Sequence, residues 1–144
     1  MTRAVAGLVL LVATGPVLGA HHGDAGRYDE EVITVTGTVV ALQMVNPHTH
    51  IIFDVVTNGK SVRWQAELGT PQQLIKQFGW TPSTITKGMK LTMIGRQLKG
   101  KAPYLNLTER ANIVVSDTGK EIYRTENFGK AAPPKSDKGS FIAQ

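Results

Sequence analysis

The stretch Glu31–Val45, EVITVTGTVVALQMV, decides the fold: it is long, rich in β-branched residues and interrupted once, by Gly37. β-branched side chains suit a pleated surface, and a glycine inside a strand marks a bend or the close approach of another backbone. One long strand that bends strongly at Gly37 is therefore expected. Working outward, HIIFDVV (50–56) precedes Thr57-Asn58-Gly59-Lys60 and then SVRWQAEL (61–68). Asn-Gly between two such runs predicts a tight two-residue hairpin. The next segment, TPQQLIKQFG (70–79), carries every local mark of a helix. Thr70 is the N-cap, Pro71 fits the first helical position, Gln73 completes a capping box and Gly79 supplies a left-handed stop. Leu74, Ile75 and Phe78 form its expected apolar face. Beyond a loop, MKLTMIGRQL (89–98) and PYLNLTERANIVVSD (103–117) read as a second hairpin around LKGKA, with a short EIY strand (121–123) after it.

Three strands, one helix and two strands, the first strand long and bent, is the order of an OB-fold. The expected fold is mainly β: a small five-stranded OB-fold-like barrel over residues 31–124, with one capping helix between strands three and four. Ring closure removes most exposed strand edges. A half-open antiparallel sheet with the same helix is the alternative architecture.

The flanks read differently. Residues 1–20, MTRAVAGLVLLVATGPVLGA, have a short basic head at Arg3, an apolar core and a Gly-Pro break before small residues. That is the layout of a secretory signal peptide, too short to anchor in a bilayer. Cleavage after Gly19 or after Ala20 fits equally, so the mature chain begins at Ala20 or His21 and is expected to be periplasmic or secreted, with no transmembrane segment left. Residues 21–30 form a leader. Residues 125–144, ending in GKAAPPKSDKGSFIAQ, lack a periodic apolar face and read as a disordered tail. With no cysteine among 144 residues, stability must come from the core rather than from disulfides. The net charge of +5 is moderate and partly in the tail, so nucleic acid is not an expected partner.

The chemistry, if any, lies in the four histidines, which come in two pairs: His21-His22 and the His-x-His of Asn46-Pro47-His48-Thr49-His50. Alternation along a strand assigns Ile51, Phe53 and Val55 to the core and places His48, His50, Ile52 and Asp54 on the other face. Two imidazoles two residues apart on a strand, with Cβ atoms roughly 6–7 Å apart, can converge on one cation, whose bonds to nitrogen are about 2 Å. They supply two ligands where a stable site wants three or four. The plain alternative is that Asn46-Pro47 is a turn, His48 bonds across it and His50 is solvated.

Signal cleavage bears on this. A chain starting at His21 offers its α-amine and imidazole to one Cu(II); a chain starting at Ala20 offers Ala-His-His, with amine, two amides and the His22 imidazole in a square plane suited to Cu(II) or Ni(II). His21, His22, His48 and His50 are thus the candidate metal ligands, with Cu(II) favoured over Zn(II) by ligand type. Glu67 shares the face of His48 and His50 by alternation, and it and Asp54 are candidates for a further ligand or for a partner of an imidazole N–H. Trp64, with Arg96, Lys99 and Lys101 around the last hairpin, marks a second candidate binding face. No Gly-x-Ser-x-Gly elbow, phosphate loop or cysteine nucleophile is present, so the chain is not expected to be an enzyme. Two function classes remain open. One is a copper-binding protein for sequestration or delivery. The other is a metal-free module that binds a small molecule, glycan or protein on the face near Trp64.

His21-His22, Thr36-Gly37-Thr38-Val39, Asn46-Pro47-His48, Trp64 with Glu67, Leu68-Gly69-Thr70-Pro71, Gly79-Trp80 and Lys87-Gly88 follow one another in an order that resembles a bacterial family of small exported proteins, domain of unknown function 6152. The resemblance spans roughly Ala20 to Val115. Departures are Gly23 and Thr70, where the family pattern has serine, and His50, whose position is commonly not histidine. The resemblance therefore shifts weight onto His21, His22 and His48. It implies no activity, and by analogy of architecture an accessory or binding role.

Overall fold

The computed structural model describes residues 26–132, and its spine is β1 (Tyr28–Met44). This strand serves two ladders in succession. It runs antiparallel to β4 (Lys90–Leu98) from Tyr28↔Leu98 to Thr38↔Lys90, then antiparallel to β2 (Thr49–Thr57) from Thr38↔Asp54 to Met44↔Thr49. The hand-over falls at Gly37 and Thr38. A Cβ on Gly37 would lie 2.5 Å from the Phe53 ring and 2.8 Å from the Asp54 carbonyl oxygen. Space is what Gly37 supplies, and a register shift between Val39 and Ala41 adds local twist.

β2 turns into β3 (Lys60–Glu67) through Asn58 and Gly59, both with positive φ (52° and 74°), the backbone that a two-residue hairpin needs. α1 (Pro71–Phe78) has the caps expected of it: the Thr70 hydroxyl accepts from the Gln73 N–H, the Gln73 side chain accepts from the Thr70 N–H, and Gly79 at φ 67° ends the helix. Leu74 is buried and Phe78 half-buried, but Ile75 is exposed and leaves the apolar face expected for it. Leu74 and Phe78, four residues apart, share the helix face that packs on the core.

The run expected as one final strand is divided. β5 (Tyr104–Asn106) pairs parallel with β3 and antiparallel with the C-terminal half of β4; β6 (Asn112–Val115) takes the other half of the same β4 edge. The break has a local cause. The Asn106 side-chain oxygen accepts from both the backbone N–H and the hydroxyl of Thr108, folding the chain back on itself, and Arg110 sits at φ 49°. β7 (Lys120–Arg124) then hairpins onto β6.

The five strands β1, β2, β3, β5 and β4 close into a ring through the β1–β4 pairing, with α1 between β3 and β4, and β6–β7 extend it. This is the OB-fold-like order, mainly β with one short helix. Ile51, Phe53, Ala66, Leu91, Met93 and Leu105 are fully buried in its core, and Val55 packs against it half-buried. Trp80 is buried beneath the helix exit and donates its ring N–H to the Ile122 carbonyl at 3.0 Å. Thr125–Lys130, at the start of the segment read as a tail, forms turns tied to the sheet: the Thr125 N–H donates to the Ala111 carbonyl at 3.0 Å, and Asn127 accepts from the Arg110 N–H at 2.7 Å. The expected signal peptide, His21 and His22, and the tail beyond residue 132 lie outside the described residues. Among the described residues no helix is long and apolar enough to cross a membrane.

Candidate functional site

The site begins at the turn into β2, where the Asn46–Pro47 peptide is cis. Two backbone bonds clamp this turn to the end of β3: the Thr49 N–H donates to the Gly69 carbonyl at 3.0 Å, and the Leu68 N–H donates to the Thr49 carbonyl at 2.8 Å. The clamp sets His48 beside the C-terminal end of β3. Its Nδ1 lies 3.3 Å from the Leu68 carbonyl oxygen and 3.5 Å from Glu67 Oε1. The other Glu67 oxygen accepts a hydrogen bond from the Tyr104 hydroxyl. Burial, reinforced by that hydrogen bond and by the negative charge of Glu67, holds the Tyr104 phenol above its ordinary pKa, so it stays a donor. The Tyr104 ring in turn stacks on Tyr28 at the start of β1, with centroids 6.4 Å apart. A continuous line of side chains thus runs from the beginning of the described chain to His48.

His50 is the cross-strand partner of Glu67 on one side and of Gln43 on the other, on the outward face that alternation predicts. Among the described residues, no group of three His, Cys, Asp or Glu side chains comes together in a way that could hold a metal ion. Asp54 forms a two-pronged ion pair with its cross-strand partner Arg63 (2.5 and 3.2 Å), which holds its carboxyl below the ordinary carboxylate range.

Half-buried Trp64 packs at 6.2 Å from the Phe53 ring and borders a pocket of about 310 Å³ with Ile52, Arg63, Gln65, Leu98, Pro103 and Tyr104. The expected basic rim is smaller than the sequence indicates. Lys99 and Lys101 are exposed on a single 3-10 turn, with Lys101 3.9 Å from Asp29. Arg96 is not on that rim. Its side chain is 11 % exposed and bonds the Asp29 carbonyl (3.1 Å), Glu109 (3.1 Å) and Glu30 (3.5 Å), which also lies 3.6 Å from buried Arg110. A buried guanidinium needs several acceptors to offset its lost hydration, and this one is used to tie β1 to β4 and to the loop after β5.

Tyr104 is the member of the site that sequence reasoning did not find. Only the parallel pairing of β5 with β3, with Tyr104 opposite Gln65 and Asn106 opposite Glu67, brings it to the Glu67 carboxylate.

Residues 9–106 match the model of a family described as "Family of unknown function (DUF6152)". No curated protein matches the sequence significantly. Among solved structures the chain is similar to one described as the crystal structure of the ZRD-deleted mutant of TiaS in complex with agmatine, at 20% identity and a TM-score of 0.37 over 71% of this chain. The chain spans about a quarter of that structure's length (24%), and a likeness at this level carries no argument about function.

Proposed function

The chain belongs to that family of unknown function, and from this premise we propose that it is an exported, non-enzymatic binding protein whose His48, with His50 beside it, takes a copper-like ion together with His21 and His22. The observation that carries this reading is the line of contacts Tyr28–Tyr104–Glu67–His48. The leader is held at Arg27, whose carbonyl accepts from the Lys99 N–H at 3.0 Å, five residues after His22, and five extended residues reach about 17 Å. The reading requires this reach to span the Tyr104 and Glu67 side chains and bring the leader imidazoles to His48. Imidazole and amine nitrogens in this number favour Cu(II) over Zn(II), and the role is sequestration or delivery.

A second reading is favoured by the cavity beside Trp64: a metal-free module that takes an apolar portion of a small molecule, glycan or protein there. One titration separates them. The mature N-terminus is first determined by intact mass; Cu(II), Ni(II) and Zn(II) are then titrated into wild type and His48→Ala. The metal reading expects tighter Cu(II) binding than a free peptide with the same N-terminus, and a loss on His48→Ala. Affinity equal to the peptide's and indifferent to His48 refutes it and leaves the Trp64 face as the site to probe.

A further inference from the structure

The surroundings of His48 carry one more inference. Both atoms that face its Nδ1, the Leu68 carbonyl oxygen at 3.3 Å and Glu67 Oε1 at 3.5 Å, are acceptors only. A bare nitrogen lone pair there would confront two oxygens; an N–H satisfies them. In a neutral imidazole only one nitrogen carries a proton, so a proton on Nδ1 leaves Nε2 with its lone pair free. We infer that Glu67 and Tyr104 are positioning residues, which hold His48 as the Nδ1–H tautomer and present Nε2 outward as the single donor to a metal ion.

The arrangement of the carboxylate supports this. The Glu67 side chain is 14 % exposed, whereas that of His48 is 44 % exposed, so the carboxylate is the enclosed partner and the imidazole the one that reaches solvent. Glu67 cannot swing freely. Its backbone lies between β2 and β5, its carbonyl accepts from the Leu107 N–H at 2.8 Å, and the Tyr104 hydroxyl holds the oxygen that does not face His48. Tyr104 is fixed in turn by its stack on Tyr28. An imidazole whose second nitrogen donates to a carboxylate or carbonyl is a more basic and better oriented ligand. The pair therefore sets direction and donor strength without contacting the ion. For its purpose this inference rests on the metal reading; for its geometry it does not.

The test keeps the two apart. The full mature chain, free of metal and at a pH above the ordinary imidazole range, is observed by multiple-bond proton–nitrogen correlation spectra for wild type, Glu67→Gln and Tyr104→Phe. Both substitutions preserve side-chain size, and Tyr104→Phe retains the stack on Tyr28. The expected result is Nδ1–H at His48 in wild type, an added Nε2–H population in Glu67→Gln and a smaller one in Tyr104→Phe. Cu(II) affinity should fall about ten- to a hundredfold in Glu67→Gln. An Nε2–H wild type, or variant spectra identical to it, overturns the inference. If the spectra behave as expected while copper binding ignores His48→Ala, the metal reading fails and the positioning of His48 stands.

Discussion

Gly37→Ala tests the closure of the ring. The added methyl would sit 2.5 Å from Phe53 Cδ2 and 2.8 Å from the Asp54 carbonyl oxygen. To regain ordinary van der Waals contact these atoms must retreat by roughly 0.6–0.9 Å, and packed interiors resist such shifts. The Phe53 ring is fully buried against Trp64 and the Asp54 carbonyl belongs to a paired strand, so neither retreats freely. Overpacking of this kind costs about 1–3 kcal/mol. Alanine also restricts the unfolded chain, which returns about 0.4–1 kcal/mol. Taken at the middle of both ranges, the net expectation is a destabilisation of about 1.3 kcal/mol, or a fall in Tm of about 5–10 °C for a domain of this size. Thermal unfolding followed by far-ultraviolet circular dichroism measures it. Gly95→Ala is the companion, since its Cβ would lie 2.6 Å from both the Asn106 carbonyl oxygen and a Leu107 methyl where β5 meets β4, and it should be at least as damaging. An unchanged or raised Tm in Gly37→Ala would show that β1 does not need the space, and the account of the hand-over between its two ladders would fall.

Thr70→Ala removes the hydroxyl that accepts from the Gln73 N–H and should lower stability by about 1 kcal/mol in denaturant unfolding, with the fold retained. Trp80→Phe leaves the Ile122 carbonyl without its ring N–H donor and should cost about 1–3 kcal/mol in the same assay, against almost none if water replaces the bond. The Tyr123 phenol, buried and donating to the Leu107 carbonyl, has its pKa pushed up to about 12. Because the folded-state value is the higher one, its contribution is fully present below the unfolded tyrosine range and is lost as pH rises from about 10 towards 12. Ultraviolet titration should therefore show phenolate forming late, and unfolding free energy should fall more steeply between pH 10 and 12 in wild type than in Tyr123→Phe.

Much of the fold is legible without coordinates because its signals are local. Alternation from Thr49 to Val55, Asn58-Gly59, and the set Thr70, Pro71, Gln73 and Gly79 each act within a few residues through backbone sterics and capping bonds. His48, Glu67 and the outward face they share follow from the same parity. Arg96 misleads for the opposite reason: beside Lys99 and Lys101 in sequence it looks like part of a basic rim, and its acceptors on β1, the Asp29 carbonyl and Glu30, lie 67 and 66 residues away.

By itself, then, the sequence determined the first three strands, the hairpin, the capped helix and the face of β2 on which His50 lies, since these depend on side-chain alternation and on φ/ψ preferences of neighbouring residues. Tertiary structure alone decided that β5 and β6 share one edge of β4, that Arg96 serves the interior, and that Tyr104 holds Glu67 against His48 across 37 residues of chain. Those outcomes belong to ring closure. Partners far apart in sequence meet only when β5 docks beside β3, and no local pattern records which carboxylate a phenol will find there.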